Sequence, residues 1–217
     1  MGVLKALLDL LLPPKCPFCG ALLARGEDGL CAKCQSELPW LQGPAAERNG
    51  GFFAVCVSPL RYTGRVRQAV HRYKFKGVSA HAPLYGRLVA RCVSDHLPGR
   101  YDLISWVPLS DRRRRERGYD QALLLARAAA ETLGGAVVPT LRKSRNTQAQ
   151  SGLEGAERRR ANVLGAYACV DRKLVAGKRV LLIDDVITTG STLDECARVL
   201  LTAGATEVVC AALARAR

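Results

Sequence analysis

Long hydrophobic runs are missing from this 217-residue chain. The most apolar stretch at the start, residues 3–12, is interrupted by Lys5 and Asp9, so nothing approaches the ~18 residues that cross a bilayer. The sequence therefore predicts no membrane span. Because no small-residue cleavage site follows, it also predicts no secretory signal. We expect a short amphipathic helix at this end of a cytoplasmic protein.

Acidic side chains are also scarce, since 19 Asp and Glu stand against 33 Lys and Arg, for a formal charge of +14. Counted by segment, residues 1–50 are neutral and residues 51–100 carry +8. Residues 101–163 carry +5, and the remainder carries +1. If the protein has a polyanionic partner, that partner is expected to meet the middle of the chain.

The nine cysteines are unevenly placed, and four of them form two Cys-x2-Cys pairs separated by eleven residues. The four are Cys16, Cys19, Cys31 and Cys34. Two such knuckles supply the tetrahedral sulfur ligands that a structural Zn²⁺ prefers, with no position left open for water or substrate. The sequence predicts a zinc ribbon here, and a redox dithiol pair is the main alternative.

A run of turn-forming residues, 42–51, predicts a boundary near residue 50 and hence a ribbon domain of residues 1–50 and a second domain of residues 51–217. Residues 51–100 form its basic entry region. We expect a strand over 52–60 and then a helix with Val66, Ala69, Val70 and Tyr73 on its apolar face. Basic and aromatic residues alternate around that face, which is typical of single-stranded nucleic-acid binding. The candidate contacts are Arg65, Arg67, Arg72 and Lys74. An ordinary solvated helix is the alternative.

The carboxyl-terminal half alternates apolar strands and amphipathic helices, which predicts an α/β domain with a parallel sheet. Ligands of such sheets bind beyond the carboxyl ends of the strands. At one of these ends, after the strand 180–183, Asp184 and Asp185 are expected to leave the strand side by side. There they can accept hydrogen bonds from ribose hydroxyls or help to hold a divalent cation.

A hydroxyl-rich turn follows the acids, with the sequence Thr188, Thr189, Gly190, Ser191 and Thr192. Its hydroxyls, its glycine and the start of the next helix favour a phosphate site. Ser191 or Thr192 as a simple helix N-cap is the alternative, which explains one hydroxyl but not the whole cluster.

This acidic pair and turn resemble the phosphoribosyl pyrophosphate signature of type I phosphoribosyltransferases. The whole chain resembles the ComF competence family on four features: the four-cysteine ribbon, a middle with Tyr62 to Gly64 and Lys74 to Gly77, the run 115–121, and the signature itself. The resemblance implies a phosphoribosyltransferase-like α/β domain with a small amino-terminal four-cysteine zinc ribbon.

The resemblance assigns Asp184 and Asp185 to the ribose as catalytic residues and residues 188–192 to the 5'-phosphate. It places an arginine-rich loop near the pyrophosphate, with Arg112, Arg115 and Arg117 as candidates. A solvated charged loop is the alternative for these arginines. The segment 142–162 corresponds to a mobile loop that closes over the site.

The function that the resemblance implies is binding of phosphoribosyl pyrophosphate with Mg²⁺ by a transferase linked to DNA uptake and competence, whose acceptor the sequence does not identify. The alternative is a non-catalytic competence protein that binds single-stranded DNA and uses the same site as a sensor or scaffold. Single-stranded DNA and DNA-uptake proteins are the partners expected in that case.

Overall fold

The computed structural model describes residues 13–75, 78–144 and 163–216. The helix predicted over 3–12 and most of the predicted mobile loop lie outside the described residues. The helices are α1 (Ala32–Glu37), α2 (Gly64–Phe75), α3 (Ala82–His96), α4 (Asp111–Arg117), α5 (Gln121–Leu133) and α6 (Ser191–Thr202). The strands are β1 (Glu47–Arg48), β2 (Cys56–Val57), β3 (Leu60–Arg61), β4 (Leu103–Trp106), β5 (Leu141–Lys143), β6 (Tyr167–Cys169), β7 (Arg179–Ile187) and β8 (Glu207–Arg215).

The main sheet has the order β1-β2-β8-β7-β4, with β3 also paired to β8. The pairs β2–β8, β3–β8, β7–β8 and β4–β7 are parallel, as predicted. The edge strand β1 is antiparallel to β2, and β5 and β6 form a separate antiparallel pair, so the predicted parallel sheet is in fact mixed. The predicted α/β class is confirmed.

Successive side chains of a strand point to opposite faces of the sheet, and both faces are buried here. In β7, Leu181 and Ile183 belong to the core that also contains buried residues of α2, α3, α5 and the cysteine ribbon. Val180 and Leu182 belong to the opposite core, which contains the buried face of α6. The ribbon therefore packs into the same core as the helices on one side of the sheet.

Helix α2 buries the face that its apolar spacing predicts, namely Val66, Ala69, Val70 and Tyr73. Beside it, α3 and α5 approach closely at Gly86, where an added Cβ would lie 2.4 Å from the Ala128 Cβ. Real Cβ atoms essentially never come so close. This contact fixes the position of α5, whose first residue lies at the candidate site.

Two element predictions are wrong in ways that matter for function. The strand predicted over 180–183 continues to Ile187, so both acids lie within β7 instead of following it. The arginine-rich loop is the helix α4, because Ser110 accepts a hydrogen bond from Arg113 N as its N-cap and Gly118, with φ 78°, ends it.

The segment predicted as a linker is ordered against the sheet. Residues 43–46 form a short 3₁₀ turn, and β1 pairs with Cys56 and Val57. Turn formers therefore lead into an edge strand here, and the boundary near residue 50 stays a prediction. Within the part of the chain that the structure describes, no helix has the length and apolarity to span a membrane.

Candidate functional site

The four ribbon cysteines converge, with all of their Sγ atoms within 4.8 Å of one another. Three are buried and Cys19 is exposed. Four thiolates around a tetrahedral Zn²⁺ lie about 3.8 Å apart at the usual Zn–S length of about 2.3 Å, and the Cys19–Cys31 sulfur distance is 3.6 Å. The donor set fits a structural zinc ion with no open coordination position.

The two acids take opposite sides of β7. Asp184 lines a pocket whose other walls include Ile187, Thr188, Gly190 and Thr192. Asp185 is 3% exposed and faces α2 and α5 instead. The strand alternation that the sequence prediction overlooked therefore separates the pair, and Asp184 is the acid at the pocket.

Asp185 has both carboxylate oxygens engaged inside the protein. Lys74 Nζ of α2 lies 2.6 Å from Oδ1, and Gln121 Nε2 of α5 donates to Oδ2 at 2.8 Å. The Asp185 N–H donates to Asp184 Oδ1 at 2.8 Å, which ties the two acids together. Burial of Asp184 and the neighbouring Asp185 charge raise the pKa of Asp184 to about 8, against the opposing effect of Lys74. The Asp184 carboxyl in the pocket therefore gains or loses its proton within about one pH unit of neutrality.

The hydroxyl-rich turn joins β7 to α6. Gly190, with φ 87°, is the helix N-cap residue and makes no side-chain cap, so Ser191 and Thr192 are not the cap that the alternative interpretation proposed. Thr189 Oγ1 and Ser191 Oγ share a hydrogen bond of 2.9 Å. The left-handed conformation at Gly190 is one that residues with a Cβ adopt only at a cost of about 1–2 kcal/mol. Glycine thus lets the chain turn tightly into the helix N-terminus beside the pocket.

The predicted linker segment holds this turn in place, which sequence reasoning missed. Arg48 Nη1 donates to Thr188 O at 2.5 Å and Nη2 to Thr189 O at 2.9 Å. Asp194, in the first turn of α6, accepts hydrogen bonds from Gly51 N and Phe52 N at 2.8 and 2.9 Å. The run of turn formers around Arg48 gave no signal for these contacts, which join residues about 140 positions apart.

The α4 arginines divide into surface and site residues. Arg112 pairs with Glu116 at 2.8 Å on the surface, and Arg115 is exposed. Arg117 is partly buried with its guanidinium 4.7 Å from the centre of the Phe75 ring. Burial lowers the pKa of Arg117 against the opposing effect of Asp185, so this cation lies within electrostatic reach of the acid pair. Of the three arginines predicted to contact pyrophosphate, only Arg117 lies within electrostatic reach of the acid pair.

Three of the four residues proposed for nucleic-acid contact have partners within the protein. Arg65 pairs with Glu37 at 3.0 Å, and Lys74 pairs with Asp185. Arg72 donates to Pro17 O at 2.7 Å. Arg67 is exposed. The sequence interpretation of this stretch as a solvent-facing cationic surface therefore applies to Arg67 and needs correction for Arg72 and Lys74.

Further cationic and polar groups near the site were also missed. Lys143 Nζ donates to Tyr167 Oη at 3.1 Å and lies 4.9 Å from the ring centre. Burial lowers the pKa of Lys143 to about 8, with Arg113 adding to the effect and Asp184 opposing it. Asp120 caps α5 by accepting from Ala122 N and Leu123 N. A helix-capping motif predicts Asp120, whereas no local pattern indicates Lys143.

Comparison with known proteins identifies two regions of the chain. A double zinc ribbon domain matches residues 7–61, and a phosphoribosyl transferase domain matches residues 120–217. The DNA utilization protein YhgH of Salmonella typhi is 34% identical over 201 residues, 89% of this chain and 80% of that protein. Competence protein F of Haemophilus influenzae is 29% identical over 93% of this chain and 97% of that protein. The chain belongs to the ComF family.

Another ComF relative, competence protein ComFC of Bacillus subtilis, is 27% identical over 84% of this chain and 82% of that protein. Among solved structures, the glutamine phosphoribosylpyrophosphate amidotransferase of Bacillus subtilis with ADP and GMP aligns at 27% identity with a TM-score of 0.42. That alignment covers 61% of this chain and 26% of the amidotransferase. In this ComF protein, the acid pair and the hydroxyl-rich turn lie in the phosphoribosyl transferase domain. The four converging cysteines lie in the zinc ribbon.

Proposed function

We propose that this ComF protein binds phosphoribosyl pyrophosphate with Mg²⁺ and transfers the phosphoribosyl group to an acceptor, in a role linked to DNA uptake. The observation that carries the proposal is the juxtaposition of Asp184 with Thr188, Gly190 and Thr192 in one pocket at the N-terminus of α6. A carboxylate suits ribose hydroxyls, and a helix N-terminus with hydroxyls suits a phosphate.

Asp184 would accept hydrogen bonds from the ribose hydroxyls and stabilise the positive charge that develops on the sugar as the leaving group departs. Asp185 would act through Asp184, because its own oxygens are occupied by Lys74 and Gln121. The direct ligand role that the resemblance implies for both acids thereby narrows to Asp184, and Asp185 positions it.

The turn 188–192 would bind the 5'-phosphate with backbone N–H groups and hydroxyls, held in shape by Arg48. Of the predicted α4 arginines, Arg117 is the one within electrostatic reach of the acids, and it would contact the pyrophosphate, whose oxygen takes the electron pair when its bond to C1 breaks. The new bond forms between C1 and the acceptor. Mg²⁺ would supply further neutralisation of the negative charge on the leaving group, and Asp184 is the carboxylate that would help to hold it.

Ligand binding is tested by thermal unfolding with phosphoribosyl pyrophosphate and Mg²⁺. At a concentration of ~100 times the dissociation constant, we expect about 2.7 kcal/mol of stabilisation and an increase in Tm of roughly 5–10 °C. Asp184→Asn should lose most of this shift, and the double variant Asp184→Asn with Asp185→Asn should lose all of it. Asp95→Asn, an exposed acid on α3, is the control and should keep it. An equal shift in the double variant and the wild type would refute the site.

Turnover is tested separately by pyrophosphate release with nucleobases or single-stranded DNA as acceptors. Release that depends on both acceptor and Asp184 supports a transferase. Ligand binding without release from any acceptor would instead support a sensor or scaffold.

Binding of single-stranded DNA is the second candidate function, and Phe75 favours it. This ring is 58% exposed at the end of α2, with Arg117 at 4.7 Å from its centre and the His71 ring at 4.9 Å. Exposed aromatic rings beside cations stack on bases of single strands. The cluster lies next to Lys74, which pairs with Asp185, so a strand bound here would approach the acid pair from the side of α2.

Replacing Phe75 by Leu should weaken single-strand binding by about 1–3 kcal/mol, or roughly 5- to 150-fold, with the salt dependence unchanged. Arg67→Met should instead reduce the slope of log affinity against log salt by about 1. Phe52→Leu, which alters another exposed ring, is the control. If Phe75→Leu and Phe52→Leu bind DNA as tightly as the wild type, the stacking role of Phe75 is wrong.

A further inference from the structure

Helix α2 contacts both the zinc ribbon and the acid pair. Arg72 Nη2 donates to Pro17 O at 2.7 Å and lies 3.5 Å from Phe18 O, and these two residues form the loop between Cys16 and Cys19. Two residues further on, Lys74 pairs with Asp185 at 2.6 Å. Less than one turn of helix therefore separates a contact to the metal knuckle from a contact to an acid of the candidate site.

A second path joins the same two places through buried rings. Phe18, 1% exposed, packs on Tyr85 with ring centres 5.6 Å apart, and Tyr85 meets Tyr73 edge to face at 5.3 Å. Tyr73 Oη donates to Gln121 O at 2.9 Å. The Gln121 side chain in turn donates to Asp185 Oδ2 at 2.8 Å.

Both paths end on the same carboxylate. Phe18, Tyr85 and Tyr73 are each 1% exposed or less, so the stack has no solvent layer in which a displacement would be absorbed. Close-packed interiors transmit strain for this reason. A shift of the knuckle that carries Phe18 therefore alters the surroundings of Lys74 and Gln121 together.

We propose that the zinc ribbon holds Asp185 in position through Lys74 and Gln121, so that Zn²⁺ and the phosphoribosyl ligand bind cooperatively. Lys74 and Gln121 are positioning residues in this scheme, since they reach the ligand only through Asp185 and its hydrogen bond to Asp184. The part of the proposal that concerns the ligand rests on the proposed function. The ribbon thereby acts on the site in addition to folding the amino-terminal segment.

The size of the effect follows from linkage. Coupling between two sites typically changes affinity about 5- to 150-fold, and each ligand must change the affinity of the other by the same factor. Loss of zinc should therefore weaken binding of phosphoribosyl pyrophosphate, and bound phosphoribosyl pyrophosphate should raise the affinity for zinc.

The first experiment, on the full chain, tests whether the affinity for phosphoribosyl pyrophosphate falls while zinc stays bound. Phe18→Leu keeps the four cysteines and an apolar side chain but removes the ring that packs on Tyr85. We expect one zinc per chain by elemental analysis and at least about a 5-fold weaker calorimetric affinity for phosphoribosyl pyrophosphate with Mg²⁺. Val170→Ala, which alters an exposed apolar side chain outside both paths, should leave the affinity unchanged. A Phe18→Leu protein with full zinc and unchanged affinity would overturn the ring path.

The second experiment does not depend on the stability of the Phe18 variant. The zinc dissociation constant of the wild type is measured by competition with a zinc-selective chelator, with and without phosphoribosyl pyrophosphate and Mg²⁺. The ligand should tighten zinc binding about 5-fold or more, and Lys74→Met should reduce this effect, because only the ring path then remains. Arg67→Met, on the same helix but exposed, should preserve it. A wild type that binds the ligand with no change in its zinc affinity would overturn the coupling while leaving the proposed function intact.

Failure of the proposed function would give a different result from failure of the coupling. A wild-type protein that does not bind phosphoribosyl pyrophosphate refutes that function, and the zinc affinity of Lys74→Met then tests the contact path by itself. Weaker zinc binding in Lys74→Met than in Arg67→Met supports the path. Equal zinc binding in both variants and the wild type overturns it.

Discussion

Lys74 Nζ lies 2.6 Å from Asp185 Oδ1, and the Asp185 side chain is 4% exposed. A helix in the basic region and a strand in the phosphoribosyl transferase domain are thereby joined by a buried ion pair. A lysine that looks from the sequence like a DNA contact is in the structure the counter-ion of an acid at the candidate site.

Loss of this ion pair should destabilise the fold strongly. Lys74→Met leaves the Asp185 charge buried with only Gln121 as partner, and breaking a buried pair in this way costs about 3–5 kcal/mol. Arg65→Met, on the same helix as Lys74, breaks the exposed pair with Glu37 and should change the free energy of unfolding little, because water screens that pair. Urea unfolding of both variants measures the difference, and equal losses would contradict the assignment of Lys74 as a buried counter-ion.

Arg48 should control the shape of the phosphate turn. Arg48→Met removes hydrogen bonds to Thr188 O and Thr189 O, each from a charged donor of a class worth about 1.5–3 kcal/mol. We expect calorimetric affinity for phosphoribosyl pyrophosphate to fall roughly 10-fold or more. Arg48→Lys should recover little, because one ammonium does not reproduce a planar fork across two carbonyls. Arg67→Met is the control, and an equal affinity in Arg48→Met and Arg67→Met would show that the turn keeps its shape without Arg48.

Asp184 should make the stability of the protein depend on pH. Its folded pKa of about 8 lies above the ordinary value of 3.8, so its contribution to stability is fully present below about pH 4 and is lost as the pH rises through about 8. Asp184→Asn, which cannot ionise, should therefore gain stability relative to the wild type between these limits. The gain should exceed about 1 kcal/mol, the equivalent of one pKa unit. Urea unfolding at pH 5 and pH 9 tests this, and the same difference at both pH values would contradict the raised pKa.

Lys143 should be unusually reactive as an amine. With a pKa lowered to about 8 by burial, about half of its side chains are neutral at pH 8, against well under ~1% for an ordinary lysine near 10.4. We expect acetic anhydride at pH 8 to modify Lys143 faster than a lysine in a reference peptide, as followed by mass spectrometry of proteolytic fragments. Denaturation in urea before labelling is the control and should remove the difference. A labelling rate that follows an ordinary lysine pKa in the folded protein would count against this prediction.

Some features of the molecule follow from local patterns. The cysteine spacing predicted the ribbon, because both ligands of each knuckle lie within four residues of each other. The apolar spacing of α2 predicted its buried face, since a helix period of 3.6 residues determines which side chains share a side. The same alternation rule, applied to a longer β7, would have separated Asp184 from Asp185. That error arose from placing the end of the strand too early.

Other features have no local signature. Arg48 meets Thr188, and Lys74 meets Asp185, across separations of 140 and 111 residues, distances at which no periodicity links one residue to another. Arg67 and Lys74 carry the same charge and lie on the same helix. Arg67 is nevertheless exposed, whereas Lys74 pairs with the buried Asp185.

The sequence by itself determined the zinc ligands, the helix faces and the strands of an α/β fold, because these depend on residues only a few positions apart. The tertiary structure alone decided which acid faces the pocket and which cations accompany the pair. The physical reason is that parallel strands and packed helices bring together side chains from distant parts of the chain, and burial then decides which of them share a partner.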